Sequence, residues 1–78
     1  MATIDLNVEK KTFAPSLSAL VFSESYGGCG LVMLLSKYLQ VKDLCKVQIG
    51  ELAPIRAEIM WRTQLDDQVM KLGLKLLD

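Results

Sequence analysis

Histidine is absent from this chain, and cysteine, proline and aromatic residues are few. The 78 residues include two cysteines, two prolines, one tryptophan, two tyrosines and two phenylalanines. Without histidine the chain cannot build a Ser–His or Cys–His nucleophile, and it lacks the commonest nitrogen ligand for zinc. We therefore expect neither an enzyme nor a resident metal or other cofactor.

The two cysteines, Cys29 and Cys45, are too few to define a disulfide framework, and neither lies in a C-x-x-C pair. Both have apolar neighbours in the sequence. We expect reduced, buried and unreactive thiols, with a disulfide between them as the alternative.

The chain also has no excess of either sign of charge, because nine basic residues balance nine acidic ones. A chain without a basic excess has little with which to hold a nucleic-acid backbone, so we expect no nucleic-acid partner. The first residues lack the basic start and apolar stretch of a signal peptide. The longest apolar stretch, Gly30 to Leu35, is too short to span a bilayer. These features predict a cytoplasmic protein with one domain over residues 1–78.

Apolar and polar residues alternate along most of the chain, which indicates strands with one buried face. Turn-forming residues separate these segments at intervals of roughly eight to twelve residues, a spacing typical of small barrels and sandwiches. We predict six strands, at Thr3–Glu9, Leu17–Phe22, Gly30–Leu34, Leu44–Ile49, Ile55–Arg62 and Val69–Leu77. The fold class is therefore all-β, a small six-stranded antiparallel barrel.

One segment fits two kinds of secondary structure, and alternation also predicts the directions of individual side chains. Residues 30 to 41 also fit helical spacing, so a helix is the alternative there. Strict alternation places Trp61 in the core and leaves Arg62 on the solvated outer face. It also places Gly73 on the outer face in the middle of the last strand, where a glycine usually marks a bulge, a bend or a close approach by another backbone.

The segment from Ser23 to Gly28 joins two apolar runs through serines, a tyrosine and adjacent glycines. Glycine tolerates positive backbone angles and lets another group approach the main chain closely. The segment is therefore either a tight corner or a binding site. Tyr26 can stack on a base there, or it can cover an end of the barrel, which we favour.

Four segments follow one another along the chain, namely Ser23–Gly28, Leu39–Asp43, Glu58–Trp61 and Leu72–Leu76. With these segments in this order and spacing, residues 3–77 resemble a PilZ domain. Ser23-Glu-Ser25-Tyr-Gly-Gly28 resembles the family's Asp(or Asn)-x-Ser-x-x-Gly motif. Leu39–Asp43 is similar to its Leu-x-x-Gly-Asp turn, Glu58–Trp61 to its Val-Val-Trp segment, and Leu72–Leu76 to its final glycine strand. The resemblance implies a six-stranded barrel that binds the bacterial second messenger cyclic di-GMP. The ligand-binding residues that we predict from it are Ser23, Ser25, Tyr26, Gly27 and Gly28.

Two departures from the family pattern weaken the expected binding. The Arg-x-x-x-Arg motif that precedes the first strand is absent, and Ser23 replaces the Asp or Asn of the second motif. Lysine does not reproduce the planar fork of arginine. We predict a cyclic di-GMP-binding regulatory domain with weakened affinity, and a degenerate, non-binding PilZ domain acting as a protein-interaction adaptor is the alternative. The expected protein partners are an effector or a parent enzyme such as a glycosyltransferase, and a homodimer is a further option.

Overall fold

The structure, a computed structural model, describes residues 1–9 and 11–77 and contains six strands. They are β1 (Ala2–Asp5), β2 (Leu17–Ser25), β3 (Gly28–Leu34), β4 (Leu44–Ile49), β5 (Ile55–Gln64) and β6 (Val69–Leu76). Each strand pairs antiparallel with two neighbours, and the order β1-β2-β3-β6-β5-β4 closes into a barrel. The predicted all-β, six-stranded antiparallel barrel is confirmed.

The barrel interior is filled by alternate residues of the strands, as period-two patterning requires. Ile4, Leu31, Val47, Ile59 and Leu72 are completely buried there. Besides Trp61, strict alternation in the last three strands predicts nine inward side chains. Six of them are buried, namely Cys45, Val47, Ala57, Ile59, Leu72 and Leu74, and three are partly buried against this core, namely Ile49, Ile55 and Leu76.

The first strand is shorter than predicted, because it ends at Asp5 and not at Glu9. The buried Asp5 carboxylate accepts hydrogen bonds from the backbone N–H groups of Asn7 and Ala14, each at 2.9 Å. Such a side-chain turn diverts the chain from the β1 ladder. The residues after Asp5 therefore leave the sheet although their sequence still alternates.

The helix considered for residues 30–41 is wrong, and β3 runs through Leu34 as the strand prediction had it. A connection then leads to β4, and within it Leu39 is only 1% exposed and joins the core. Lys42 adopts a φ of 76° in this connection. Leu39 is thus a core residue supplied by a loop. Nowhere in the described ranges is there a helix with the length and apolar character needed to cross a bilayer.

Two β-bulges change the direction of side chains in β2 and β5. The register shifts between Val21 and Ser23 in β2, and between Ile59 and Trp61 in β5. A bulge adds one residue to its strand and reverses the alternation that follows it. The predicted inward direction of Trp61 is wrong for this reason, since Trp61 is 42% exposed on the outer face.

The same bulge corrects the prediction for Arg62, which is half-buried and not simply solvated. Its Nη1 donates hydrogen bonds of 2.7 Å to the carbonyl oxygens of Ser36 and Leu39. Arg62 therefore ties the β3–β4 connection to the barrel and holds the buried Leu39 in place.

Candidate functional site

The outer face of the barrel carries two glycines side by side at the centre of the β3–β6 ladder. Gly30 pairs with Gly73, and each is opposite a bulge in the next strand. Without side chains, the two residues leave a gap on the sheet surface. The gap is bordered by an aromatic residue of each bulged strand, Phe22 of β2 and Trp61 of β5.

Both rings lie over the glycine opposite them. A Cβ atom on Gly73 would overlap the indole nitrogen of Trp61, and a Cβ on Gly30 would lie 2.5 Å from Cζ of Phe22. An aromatic side chain that covers a cross-strand glycine compensates for the packing that the glycine lacks. The group that approaches Gly73 is the Trp61 side chain and not another backbone, and the bulge lies in β5 opposite this glycine.

A groove of about 240 Å³ runs beside Trp61 on this face. Its lining residues are Ser23, Ser25, Gly28, Cys29, Gly30, Met60, Trp61, Gly73 and Leu74. Serine hydroxyl groups line one part of the groove, and the apolar Met60 and Trp61 line another. The groove thus offers a flat aromatic surface together with groups that both donate and accept hydrogen bonds.

The structure brings together three of the five predicted site residues, because Ser23, Ser25 and Gly28 all line this groove. Tyr26 and Gly27 form the two-residue turn between β2 and β3 and lie outside the lining. Gly27 has the positive φ, 80°, that a tight corner requires.

Tyr26 does not cover an end of the barrel, so that interpretation is wrong. Its side chain is fully exposed, because the β2–β3 ladder continues to Ser25 and carries the turn out beyond the core. The turn itself is tied back to β6 by a 2.8 Å hydrogen bond from the Leu76 N–H to the Gly27 carbonyl.

Trp61 was missed as a site residue because strict alternation along β5 assigned it to the core. The bulge turns Trp61 outward, leaving it 42% exposed beside Met60, which strict alternation already places on the outer face and which is 50% exposed. The sequence feature that indicates an outward Trp61 is Gly73 in β6, because a glycine inside a strand leaves room for an aromatic ring from the neighbouring strand. That signal becomes readable only once the β5–β6 register is known.

Two lysines of β6 lie on the groove's side of the barrel. Lys71 and Lys75 are each two residues from Gly73 and so share its outward direction. The Lys71 ammonium group lies 4.4 Å from the centroid of the Phe22 ring. Lys75 is exposed and pairs with Gly28 across the ladder. A lysine therefore lies on each side of the glycine gap, and Lys75 also pairs with Glu58 across the β5–β6 ladder.

The thiols near the groove are unsuited to nucleophilic chemistry. Burial, and secondarily the Glu24 carboxylate, raises the pKa of Cys29. Burial together with the Cys29 thiol and Asp43 raises the pKa of Cys45 from 9.0 to about 11. A thiol is nucleophilic as the thiolate, so both side chains are protonated and inert at neutral pH. Both are free and buried, in agreement with the prediction of reduced, buried cysteines.

Residues 1–9 and 11–77 contain no group of three or more Cys, Asp or Glu side chains positioned to hold a metal ion. In comparisons with known proteins, no family model, curated protein or solved structure matches this chain.

Proposed function

We propose that this barrel is a cyclic di-GMP-binding regulatory domain of the PilZ type, and that the groove beside Trp61 is its ligand site. The observation that carries the proposal is the meeting of Ser23, Ser25 and Gly28 with an exposed Trp61 around one groove. The serines and the glycine come from the motif that resembles the PilZ family. The tryptophan supplies a stacking surface that the motif itself does not contain.

A guanine ring stacks on the indole of Trp61 in this proposal. Stacking of a base on an aromatic side chain contributes about 1–3 kcal/mol. The hydroxyl groups of Ser23 and Ser25 then hydrogen-bond to polar atoms of the same nucleotide, since each hydroxyl can donate and accept. Stacking positions the base, and the hydroxyls add directional contacts.

The phosphates of the ligand face the lysines of β6. Lys71 and Lys75 lie on either side of Gly73 on the outward face and carry the charge that the missing arginine motif would otherwise supply. A lysine acts as a compact point charge and lacks the two-pronged contact that arginine makes with phosphate. We therefore expect weaker binding than a site with the arginine pair.

The size of the groove leads to the same expectation. At about 240 Å³ it lies below the roughly 300–1,000 Å³ typical of small-molecule pockets. It takes one base of the dinucleotide and leaves the other exposed. A complete site requires a further surface, which an effector protein or a parent enzyme such as a glycosyltransferase would supply. In this proposal the domain is non-enzymatic and works in the cytoplasm.

Calorimetric titration with cyclic di-GMP tests the proposal. We expect saturable heat with the wild-type chain, and weaker binding in Trp61→Leu and Ser25→Ala. Tyr26→Ala is the matched control, because Tyr26 is an exposed aromatic outside the groove and its loss should leave the affinity unchanged. No heat at millimolar ligand would refute the proposal, and a loss of affinity in Tyr26→Ala alone would move the site to the turn.

A second candidate function is a protein-interaction adaptor that uses the same groove. The observation in its favour is the exposure of Met60 and Trp61, residue types that are enriched at protein interfaces. A pull-down that recovers one specific protein with the wild-type chain and loses it with Trp61→Ala would support the adaptor. Stoichiometric binding of cyclic di-GMP at the groove would count against it.

A further inference from the structure

A second groove lies on the outside of the barrel, where the β1–β2 connection lies beside β4 and the start of β5. We name it the β4–β5 groove and define it by Lys11, Phe13, Lys46 and Arg56 among its lining residues. Its volume is about 470 Å³, within the range of about 300–1,000 Å³ that is typical of small-molecule pockets. In the described part of the chain it shares no lining residue with the groove beside Trp61, so it is a separate surface.

Basic side chains outnumber acidic ones in the lining of the β4–β5 groove. Of the residues that the structure describes, Lys11, Lys46 and Arg56 line it, against a single carboxylate, that of Glu9. Lys46 and Arg56 are direct partners in the β4–β5 ladder, so their side chains leave the sheet on the same side, with Cβ atoms about 4.5–5.5 Å apart. Two positive side chains therefore start from adjacent positions, although the whole chain has no net charge.

Two more carboxylates lie close to this basic pair. Asp5 is opposite Lys46 in the β1–β4 ladder, and both oxygens of its carboxylate accept backbone N–H groups of the β1–β2 connection. Glu58 is two residues from Arg56 along β5 and pairs with Lys75 of β6. Lys46 and Arg56 also interact within the chain. An ammonium group has three N–H donors and a guanidinium five, so a bound anion shares these donors with groups of the chain itself.

An aromatic ring borders the same groove. Phe13 is half-buried, and the segment that carries it is held to β1 by the 2.9 Å hydrogen bond from the Ala14 N–H to the Asp5 carboxylate. A phenyl ring beside basic groups offers a flat apolar surface on which a heterocyclic base stacks. The β4–β5 groove therefore combines a stacking surface with cations, which matches a ligand that has a ring at one end and a phosphate at the other.

We propose that the β4–β5 groove binds a nucleotide through its terminal phosphate. The phosphate lies between Lys46 and Arg56, where the guanidinium offers a fork of N–H donors and the ammonium a point charge. A phosphate that carries close to two negative charges also offsets the repulsion between like charges opposite one another in a ladder. The base stacks on Phe13, and the Glu9 carboxylate accepts hydrogen bonds from ribose hydroxyl groups. Cyclic di-GMP has no terminal phosphate, so this ligand belongs to a different class.

NMR titration of the isotope-labelled full chain with inorganic phosphate and with adenosine 5′-monophosphate, at constant ionic strength, tests the proposal. We expect saturable shifts of the Lys46 and Arg56 backbone amides with both, and binding of the nucleotide about fivefold tighter or more, because its base adds stacking. Arg56→Gln should weaken nucleotide binding by about fivefold or more. Lys37→Gln is the matched control, because it removes the same unit of charge from an exposed residue outside the groove, and it should bind as the wild type does.

Lys46 and Arg56 amides that do not shift saturably with millimolar adenosine 5′-monophosphate would overturn the proposal. Equal losses of affinity in Arg56→Gln and Lys37→Gln would show an effect of net charge alone and overturn it equally. Phe13→Leu is the second variant and should abolish the advantage of the nucleotide over phosphate; an advantage that persists, or none in the wild type, would overturn the assignment to a nucleotide. Far-UV circular dichroism establishes that each variant is folded. The Trp61 indole N–H reports on the other groove in the same spectra, so the two sites succeed or fail separately.

Discussion

Replacing Gly73 by alanine tests how the Trp61 side of the groove is built. Gly73 pairs with Trp61 across the β5–β6 ladder, and the indole lies where an alanine Cβ would be. The backbone of β6 is held between β3 and β5, so it cannot shift away. We therefore expect the exposed indole to move off the sheet.

The cost follows from the area that the indole loses. Trp61 is 42% exposed, so a little over half of its side chain is covered in the folded chain. A tryptophan offers about 150–250 Å² for burial, so lifting the ring exposes on the order of 100 Å², or about 2.5 kcal/mol at 25 cal/mol per Å². Alanine is favoured over glycine in a strand by about 0.5–1 kcal/mol. The expected net loss in the free energy of unfolding is about 2 kcal/mol.

Urea unfolding followed by fluorescence measures this change, because Trp61 is the only tryptophan in the chain. In Gly73→Ala the emission of the folded state should shift towards that of the unfolded chain, and the unfolding midpoint should fall. Gly30→Ala is the control, since its Cβ would meet Phe22 and Ser23 and leave the indole in place. An unchanged emission maximum and midpoint in Gly73→Ala would refute the packing of Trp61 over Gly73.

Two further variants and one pH dependence test other parts of the structure. Arg62→Met removes both 2.7 Å hydrogen bonds to the β3–β4 connection, so the free energy of unfolding in urea should fall by about 3 kcal/mol. A fall of less than about 0.5 kcal/mol would contradict the anchoring role of Arg62. Gly28→Ala places a Cβ 2.9 Å from the Leu74 carbonyl oxygen, which a backbone group cannot easily avoid, and should lower the thermal midpoint through a cost of about 1–3 kcal/mol. An unchanged thermal midpoint in Gly28→Ala would show that the β3–β6 ladder moves apart to accommodate the added Cβ. Burial raises the pKa of Cys45 from 9.0 to about 11, so the folded state favours the protonated thiol more than the unfolded chain does. This preference stabilises the fold fully below pH 9.0. As the pH rises towards 11 it is lost, and the free energy of unfolding falls by up to about 3 kcal/mol. In Cys45→Ala the free energy of unfolding should fall less over that pH range than in the wild type. Equal pH dependences in the two proteins would contradict this prediction.

The barrel could be predicted from sequence because most of its strands alternate in a simple way. Cys45 and Val47 in β4, and Leu72 and Leu74 in β6, face inward where the pattern places them. Each strand needs only one buried face, and closure follows from the number of short segments. These are local properties that a sequence displays directly.

The directions of Trp61 and Arg62 could not be predicted, because they depend on a bulge in β5. A bulge adds a residue relative to the partner strand, so its position is a property of the pair and not of β5 alone. The end of β1 is similar, since the Asp5 carboxylate binds the distant Ala14 N–H as well as its neighbour Asn7. Such tertiary hydrogen bonds have no marker in the local alternation.

The candidate site was therefore half predicted. The glycine and serine motif located Ser23, Ser25 and Gly28, which are close in sequence and meet at one groove. Its opposite side comes from β5, more than thirty positions away, and required the strand order and register. Tyr26 was adjacent in sequence to these residues, yet the turn geometry directs it to solvent.

The NMR signal of the Trp61 indole N–H during titration with cyclic di-GMP tests most directly whether the groove is the ligand site. The chain has one tryptophan, so this signal is unique and reports on the groove alone. We predict a progressive, saturable shift of the indole signal, accompanied by shifts of the Ser23 and Gly28 backbone amides. An indole signal that does not move at millimolar ligand, or shifts confined to residues outside the groove, would contradict it.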